Sequence, residues 1–212
     1  MACSVLVLVG EESGHFLDRV LEAAKALKVG SGLDPSTGMG PVINARSRER
    51  ILEYIELGLS EGARLVLDGR GVKVEGLPDG FFIGPTIFDE VKPEMRIARE
   101  EIFGPVLSVM RARDLEEAIA LANRSPYGNG ASIFTRSGGA ARTFRNRIEC
   151  GMIGLNAGVP APMAFFSFGG FKDSIFADLR AHGPDSVEFY TRKKAVIERW
   201  FDTGPAGSIW SK

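Results

Sequence analysis

Apolar and polar positions along this 212-residue chain switch repeatedly between a strand-like and a helix-like rhythm. Residues 4–9 (SVLVLV) form a nearly continuous apolar run ending at Gly10, the pattern of a strand covered on both faces. Residues 15–28 put Phe16, Val20, Leu21, Ala24 and Leu27 on one stripe and predict a helix. A Gly/Pro/Ser-rich loop spans 30–41, and a longer helix follows at 44–61 with Ile51, Leu52, Ile55 and Leu59 as its apolar face. Residues 64–67 read as a strand, 69–80 as an exposed Gly-rich excursion, and 81–88 as an extended segment interrupted by Gly84 and Pro85. A strand is predicted at 106–110. Asp114 then caps a helix running to Asn123, with Glu117 at the capping-box position. A strand at 130–134, a helix at 139–148 and a strand at 151–155 complete the regular part. From 156 to 185 the period disappears among Gly, Pro and Phe residues. So long an irregular stretch in a compact domain lines or covers a site. Residues 186–200 begin β-rich (VEFYT) and end charged.

Strands alternating with helices predict an α/β fold: a mostly parallel sheet with flanking helices. Hydrophobic residues make up 44% of the chain, enough to bury a core. The 26 basic and 27 acidic residues nearly cancel and form no like-charged block, which argues against nucleic acid or an anionic membrane surface as partner. No apolar run approaches the roughly 20 residues that a membrane helix needs. The short first run has no basic leader, so it does not read as a secretory signal. Two distant cysteines suggest no disulfide framework, and the expected compartment is a reducing one, the cytoplasm or an equivalent matrix.

Several common chemistries are missing. There is no G-x-G-x-x-G after a strand, no Walker-A loop, no H-E-x-x-H and no G-x-S-x-G elbow. With only His15 and His182, and cysteines at 3 and 150, no metal-ligand spacing exists and no metal is expected. The Tyr127-Gly128-Asn129-Gly130 cluster precedes a strand rather than opening a helix, so a structural turn is favoured over a phosphate cradle. Cys3 and Cys150 each lie beside an apolar strand and are expected to be small buried hydrophobes without a partner base.

Three stretches carry a family resemblance. Glu100-Glu101-Ile102-Phe103-Gly104-Pro105-Val106 resembles the E-E-I-F-G-P-V signature of the aldehyde dehydrogenase superfamily. Pro126-Tyr127-Gly128-Asn129-Gly130, continuing to Ile133-Phe134-Thr135, resembles a turn-plus-strand element of its methylmalonate-semialdehyde branch, where its role is mainly structural. Phe165-Phe166-Ser167-Phe168-Gly169-Gly170-Phe171-Lys172-Asp173-Ser174, followed by Asp178-Leu179 and Phe189-Tyr190-Thr191, resembles a third. Ser167, and Ile175 in place of a general-family Gly, match that branch. The run from Asn156 to Met163 (NAGVPAPM) departs from the branch's N-V-P-x-P-V-P. The resemblance implies that Glu101 binds the nicotinamide-ribose hydroxyls of NAD, that Phe103 packs near the nicotinamide, and that Phe168 lines the substrate tunnel. A carboxylate accepts two hydroxyl donors well, and an aromatic wall excludes water. Phe165 is expected to pack its loop onto the core.

The same resemblance implies a C-terminal, catalytic-domain half: 1–185 as a catalytic domain without its start, and 186–212 as an oligomerisation strand and tail. Met1 aligns with the residue after the family's nucleophilic cysteine, so no catalytic residue is assigned to this chain, and Cys3 is not the nucleophile. The general-base glutamate, the oxyanion-hole asparagine and the dinucleotide-binding domain are likewise expected elsewhere. The full-length enzyme implied attacks an aldehyde with a thiolate, holds the oxyanion on amide donors and passes hydride to NAD. CoA, as co-substrate, then takes the acyl group as propionyl-CoA or acetyl-CoA. The isolated chain is expected to be inactive. A homo-oligomer is expected for the full-length form. The alternatives are a non-acylating aldehyde dehydrogenase, a non-catalytic partner of a separately encoded N-terminal half, and a truncated reading frame.

Overall fold

The structure, a computed structural model, describes residues 2–176 and 178–200. The expected match of Met1 therefore lies outside the described residues, as does the tail beyond 200. The first strand, β1 (Val5–Val9), leads through a single 3-10 turn into α1 (Gly14–Lys25). After the 26–44 loop come α2 (Ala45–Ser60), β2 (Arg64–Leu67) and β3 (Thr86–Asp89). A one-turn helix, α3 (Arg96–Arg99), precedes β4 (Val106–Ala112). These four strands make one sheet in the order β1-β4-β3-β2. β1 runs parallel to β4 and β4 parallel to β3, while β2 closes the other edge antiparallel. The α/β class with a parallel-dominated sheet is thus as expected.

Side chains alternate across this sheet with period two. Phe88, Val106 and Met110 face a core built on Ile51 and Ile55 of α2, while Ile87 and Val109 face Leu17, Val20, Leu21 and Ala24 of α1. β1 touches both cores, Val5 and Val7 on one side and Leu6 and Leu8 on the other. It was expected to be fully covered. As an edge strand it buries only Leu8 completely, because no strand pairs with its outer side among the described residues. Asp89 is buried and ion-pairs with Arg64 of β2 (2.5 Å) and Arg111 of β4 (2.8 Å), tying three strands together.

Both long helices end close to their predicted limits. Asn44 caps α2 by accepting from the Ser47 amide, and Glu61 ends it. α1 stops at Lys25, three residues early, and its stripe is Leu17, Val20, Leu21 and Ala24. Phe16 and Leu27 lie outside it and are exposed, Phe16 against His15; Leu59 of α2 is exposed as well. The reason is angular: position 16 precedes the buried Leu17 by one residue and falls about 100° off the stripe.

The 69–80 excursion is largely exposed, with Arg70, Val72 and Val74 half-buried and Gly69 buried where a Cβ would meet Gly84 O at 2.0 Å. The extended segment at 81–88 becomes a strand only from Thr86.

The second half is smaller. α4 (Leu115–Asn123) is capped by Asp114, whose carboxylate accepts from the Glu117 amide (2.9 Å). Glu117 reaches back to the Arg113 amide (2.8 Å), one residue beyond the usual capping-box partner. Then follow β5 (Tyr127–Gly128), β6 (Gly130–Ile133), α5 (Gly138–Arg147) and β7 (Met152–Leu155). β6 and β7 pair in parallel, apart from the four-stranded sheet. Ile119, Phe144, Ile148 and Cys150 form their core.

Among the described residues, the irregular 156–185 stretch contains β8 (Phe171–Lys172) as its only strand before α6 (Gly183–Tyr190) begins. Here the β-rich reading of residues 186–190 is corrected: they are helical. Pro184 in the first turn suits a helix start, Asp185 complements the dipole there, and Ser186 Oγ donates to Gly183 O at 2.8 Å. The expected boundary at 185/186 falls inside this helix. Residues 191–200 form no strand, and no strand pairs with them among the described residues. The expected C-terminal strand is therefore absent from the described residues. No helix is long and apolar enough to cross a membrane among them.

Candidate cofactor and substrate loops

The segment between α3 and β4 holds two of the three expected site residues. Ile102 is buried in the α2-side core, so its neighbours Glu101 and Phe103 are turned outward and exposed. Phe103 adopts φ +60, a left-handed backbone that a bulky aromatic rarely takes. Such outliers persist only where the surroundings over-determine them, and they cluster at functional sites.

Helix α2 supplies those surroundings. Arg50 donates from Nη1 to Ile102 O (2.5 Å) and from Nη2 to Glu101 O (2.6 Å). Ile51 presses so close to Gly104 that a Cβ there would lie 2.6 Å from Ile51 Cδ1. Glu100 accepts two bonds from Arg96 (2.8 and 3.0 Å) and one from the Tyr54 hydroxyl. The Arg96 guanidinium, followed by Tyr54, holds the Glu100 carboxyl down at about 2. Arg50 and Arg96 both stack on the Tyr54 ring, at 4.9 and 5.7 Å. The Glu101 carboxylate makes no hydrogen bond or ion pair among the described residues; only its backbone carbonyl is engaged.

The second and third resembling stretches meet. β5 and β8 pair antiparallel, Gly128 opposite Phe171 and Tyr127 opposite Lys172. Ser174 Oγ accepts from the Gly128 amide (3.0 Å). Lys172 Nζ donates to Asn123 O (2.7 Å) and Ser125 O (3.1 Å) at the end of α4 and pairs with Glu149 (3.0 Å). A cation there also complements the helix C-terminus. Gly128 and Gly151 are required by close approach: a Cβ at 151 would meet the Gly169–Gly170 backbone at 2.6 Å.

Phe168 lies further along this loop. Its amide donates to Ala181 O (2.7 Å) and its half-buried ring meets His182 edge-on at 6.0 Å. No hydrogen bond or ring contact among the described residues joins it to Glu101 or Phe103. An open depression of about 310 Å³ beside β8 is bordered by Lys172, Ile175, Asp178 and Arg180, and none of the three expected site residues lines it. Phe165, expected to pack onto the core, is exposed and rests on Phe166 at 4.8 Å.

The cysteines divide. Cys150 is buried as expected, and burial raises its pKa. Cys3, expected to be buried, is exposed ahead of the edge strand; atoms packed around its sulfur still raise its pKa. Neither is activated as a nucleophile.

Neither periodicity nor motif pointed to Arg50, Tyr54 or Arg96, and Lys172 entered only as part of the third resembling stretch. Arg50 and Tyr54 stand four residues apart on α2, and Arg96 and Glu100 four apart at α3, so each pair could be seen locally. Their convergence on one loop joins residues about fifty apart and has no local signal.

An α/β fold with an E-E-I-F-G-P-V loop and a glycine-pinned F-G-G-F-K loop agrees with the family comparison. A sequence profile of the aldehyde dehydrogenase family matches residues 1–196, and the chain belongs to that family. It is 54% identical over 201 residues to malonate-semialdehyde dehydrogenase 1 of Oceanobacillus iheyensis, covering 95% of this chain and 41% of that protein. A Sinorhizobium meliloti protein assigned as a methylmalonate-semialdehyde dehydrogenase, solved with NAD, superposes with a TM-score of 0.91 at 47% identity, over 97% of this chain and 41% of that one. The methylmalonate-semialdehyde dehydrogenase of Oceanimonas doudoroffii gives 0.90 at 46% identity, over 94% and 41%. The chain therefore spans about two fifths of the length of these relatives.

Proposed function

We propose that this chain forms the C-terminal, catalytic-domain portion of an NAD-dependent, CoA-acylating malonate- or methylmalonate-semialdehyde dehydrogenase. The observation that carries the reading is the 100–104 loop. It offers a free, exposed carboxylate at Glu101 beside an exposed ring at Phe103, on a backbone held in a strained conformation. That pair fits a ribose diol and a flat nicotinamide ring, so Glu101 and Phe103 would hold this end of NAD. When bound, NAD supplies the hydride acceptor. Glu101 orients the ribose by accepting its hydroxyls, and Phe103 keeps water from the reacting face. Phe168 would border the substrate. Kinship to proteins named malonate- and methylmalonate-semialdehyde dehydrogenases supports the substrate class. CoA as acyl acceptor follows from the motif resemblance, as does a homo-oligomeric full-length form.

The isolated chain is proposed to be inactive, because burial raises the pKa of both Cys3 and Cys150, and neither sulfur is hydrogen-bonded to a side-chain base among the described residues. Purified chain with NAD, CoA and malonate semialdehyde should show no NADH absorbance. Ligated behind the remaining portion of a relative, it should yield NADH and acyl-CoA, with release of the acyl group dependent on CoA. Turnover by the isolated chain that is abolished in Cys3→Ala would overturn this assignment. Turnover of the ligated protein without CoA would favour a non-acylating dehydrogenase.

A further inference from the structure

We infer that Arg50 is a positioning residue for the 100–104 loop, setting the outward presentation of Glu101 and Phe103 from a helix that supplies neither. This rests on the reading of that loop as the nicotinamide-ribose site. The guanidinium spans two successive carbonyls, Glu101 O at 2.6 Å and Ile102 O at 2.5 Å. Successive carbonyls of an extended chain point to opposite sides, so one planar fork can receive both only where the backbone turns. The relation of the two carbonyls is set at Ile102, which sits between them in the core, and the left-handed Phe103 follows directly. The fork thus grips the two peptide groups that lead into the unusual φ.

The guanidinium is itself held. It stacks 4.9 Å from the centroid of Tyr54, one helical turn along α2. Tyr54 grips Glu100, the residue at the start of the same loop. Ile102 is sunk in the core and Gly104 rests on Ile51. Of these restraints only Arg50 bonds the backbone of Glu101, whose carboxylate has no partner among the described residues. Lysine cannot substitute fully. A single ammonium lacks the planar fork that serves two acceptors at once.

The test uses the isotopically labelled full chain, with Arg50→Met and Arg50→Lys, and nicotinamide mononucleotide as probe. In Arg50→Met, the carbonyl carbon resonances of Glu101 and Ile102 should move upfield. Backbone order parameters at 101–104 should fall from about 0.85 to below about 0.6, with those of α2 and β4 unchanged. Loss of two charge-assisted bonds should raise the dissociation constant for the mononucleotide roughly tenfold. Arg50→Lys should recover one carbonyl shift and part of the affinity. Unchanged carbonyl shifts and order in Arg50→Met would overturn the assignment, as would loosening that spreads equally through α2 and β4. If the wild-type loop ignores the mononucleotide, the ribose-site reading fails, and with it the cofactor role of Arg50. The carbonyl and order measurements would still establish whether Arg50 fixes the loop.

Discussion

Between β1 and β4 the chain buries Ile55, Phe88, Val109 and Ser108 to 0% exposure, whereas from 156 to 200 only Gly170 is buried among the described residues. The first region has a helix on each face of a sheet and a core on each side. The second leaves Phe165, Phe166, Phe176, Phe189 and Tyr190 exposed. Its order comes from point attachments: Lys172 on the end of α4, Ser174 on Gly128, and the Gly151 approach to Gly169–Gly170. A packed core resists change everywhere at once. A pinned loop depends on a few polar bonds and on glycines that leave room for backbone. The 100–104 loop combines both, with Ile102 anchored in the core and Arg50 and Arg96 gripping its polar atoms.

Four substitutions sharpen this contrast. Phe88→Ala should cost about 3–5 kcal/mol in denaturant unfolding, while Phe166→Ala, removing a ring that is 60% exposed, should cost under about 0.5 kcal/mol. Equal losses would contradict the division. Gly151→Ala should destabilise by about 1–3 kcal/mol, since a Cβ would sit 2.6 Å from the Gly169–Gly170 backbone. Its amide-shift changes should map to 126–129 and 169–174 and spare the four-stranded sheet. Lys172→Met should cost about 1 kcal/mol and speed hydrogen exchange at the Asp173 and Ser174 amides, which donate to Pro126 O and Phe171 O. Exchange in β3 and β4 should not change.

The smallest effect is a pH dependence at Glu100. Its folded carboxyl titrates at about 2, below the ordinary 4.5, because of Arg96 and then Tyr54. A lowered value means that the clamp contributes fully above the unfolded pKa and is lost as pH falls through the folded one. Glu100→Gln should therefore flatten stability between those two values and leave its slope above 5 unaltered. The side chain is exposed, so solvent screening keeps the change modest. A carboxyl titration of Glu100 near its ordinary value would remove this expectation.

Much of the architecture could be read from local pattern. Asn44, Asp114 and Ser137 each cap a helix within a residue of its expected start. Capping needs only a side chain and an amide three residues on, so sequence carries it. Edge placement of β1, the helix at Gly183–Tyr190 and the exposure of Cys3 and Phe165 were not legible, because each depends on which surface happens to lie opposite. The VEFYT run has strong β propensity, but strand formation needs a partner, and in its absence Pro184 and Asp185 start a helix instead.

Local pattern carried the alternation of elements and the motifs behind the family resemblance, from which the expectation for Glu101, Phe103 and Phe168 follows, since periodicity and motif spacing are local properties. Folding was needed to bring Arg50 and Tyr54 onto the loop bearing Glu101, and the Y-G-N-G turn onto the F-G-G-F-K loop. Those contacts join residues some 45 to 50 apart, and a fork on two carbonyls or a Cα against a neighbouring backbone exists only after the chain has folded.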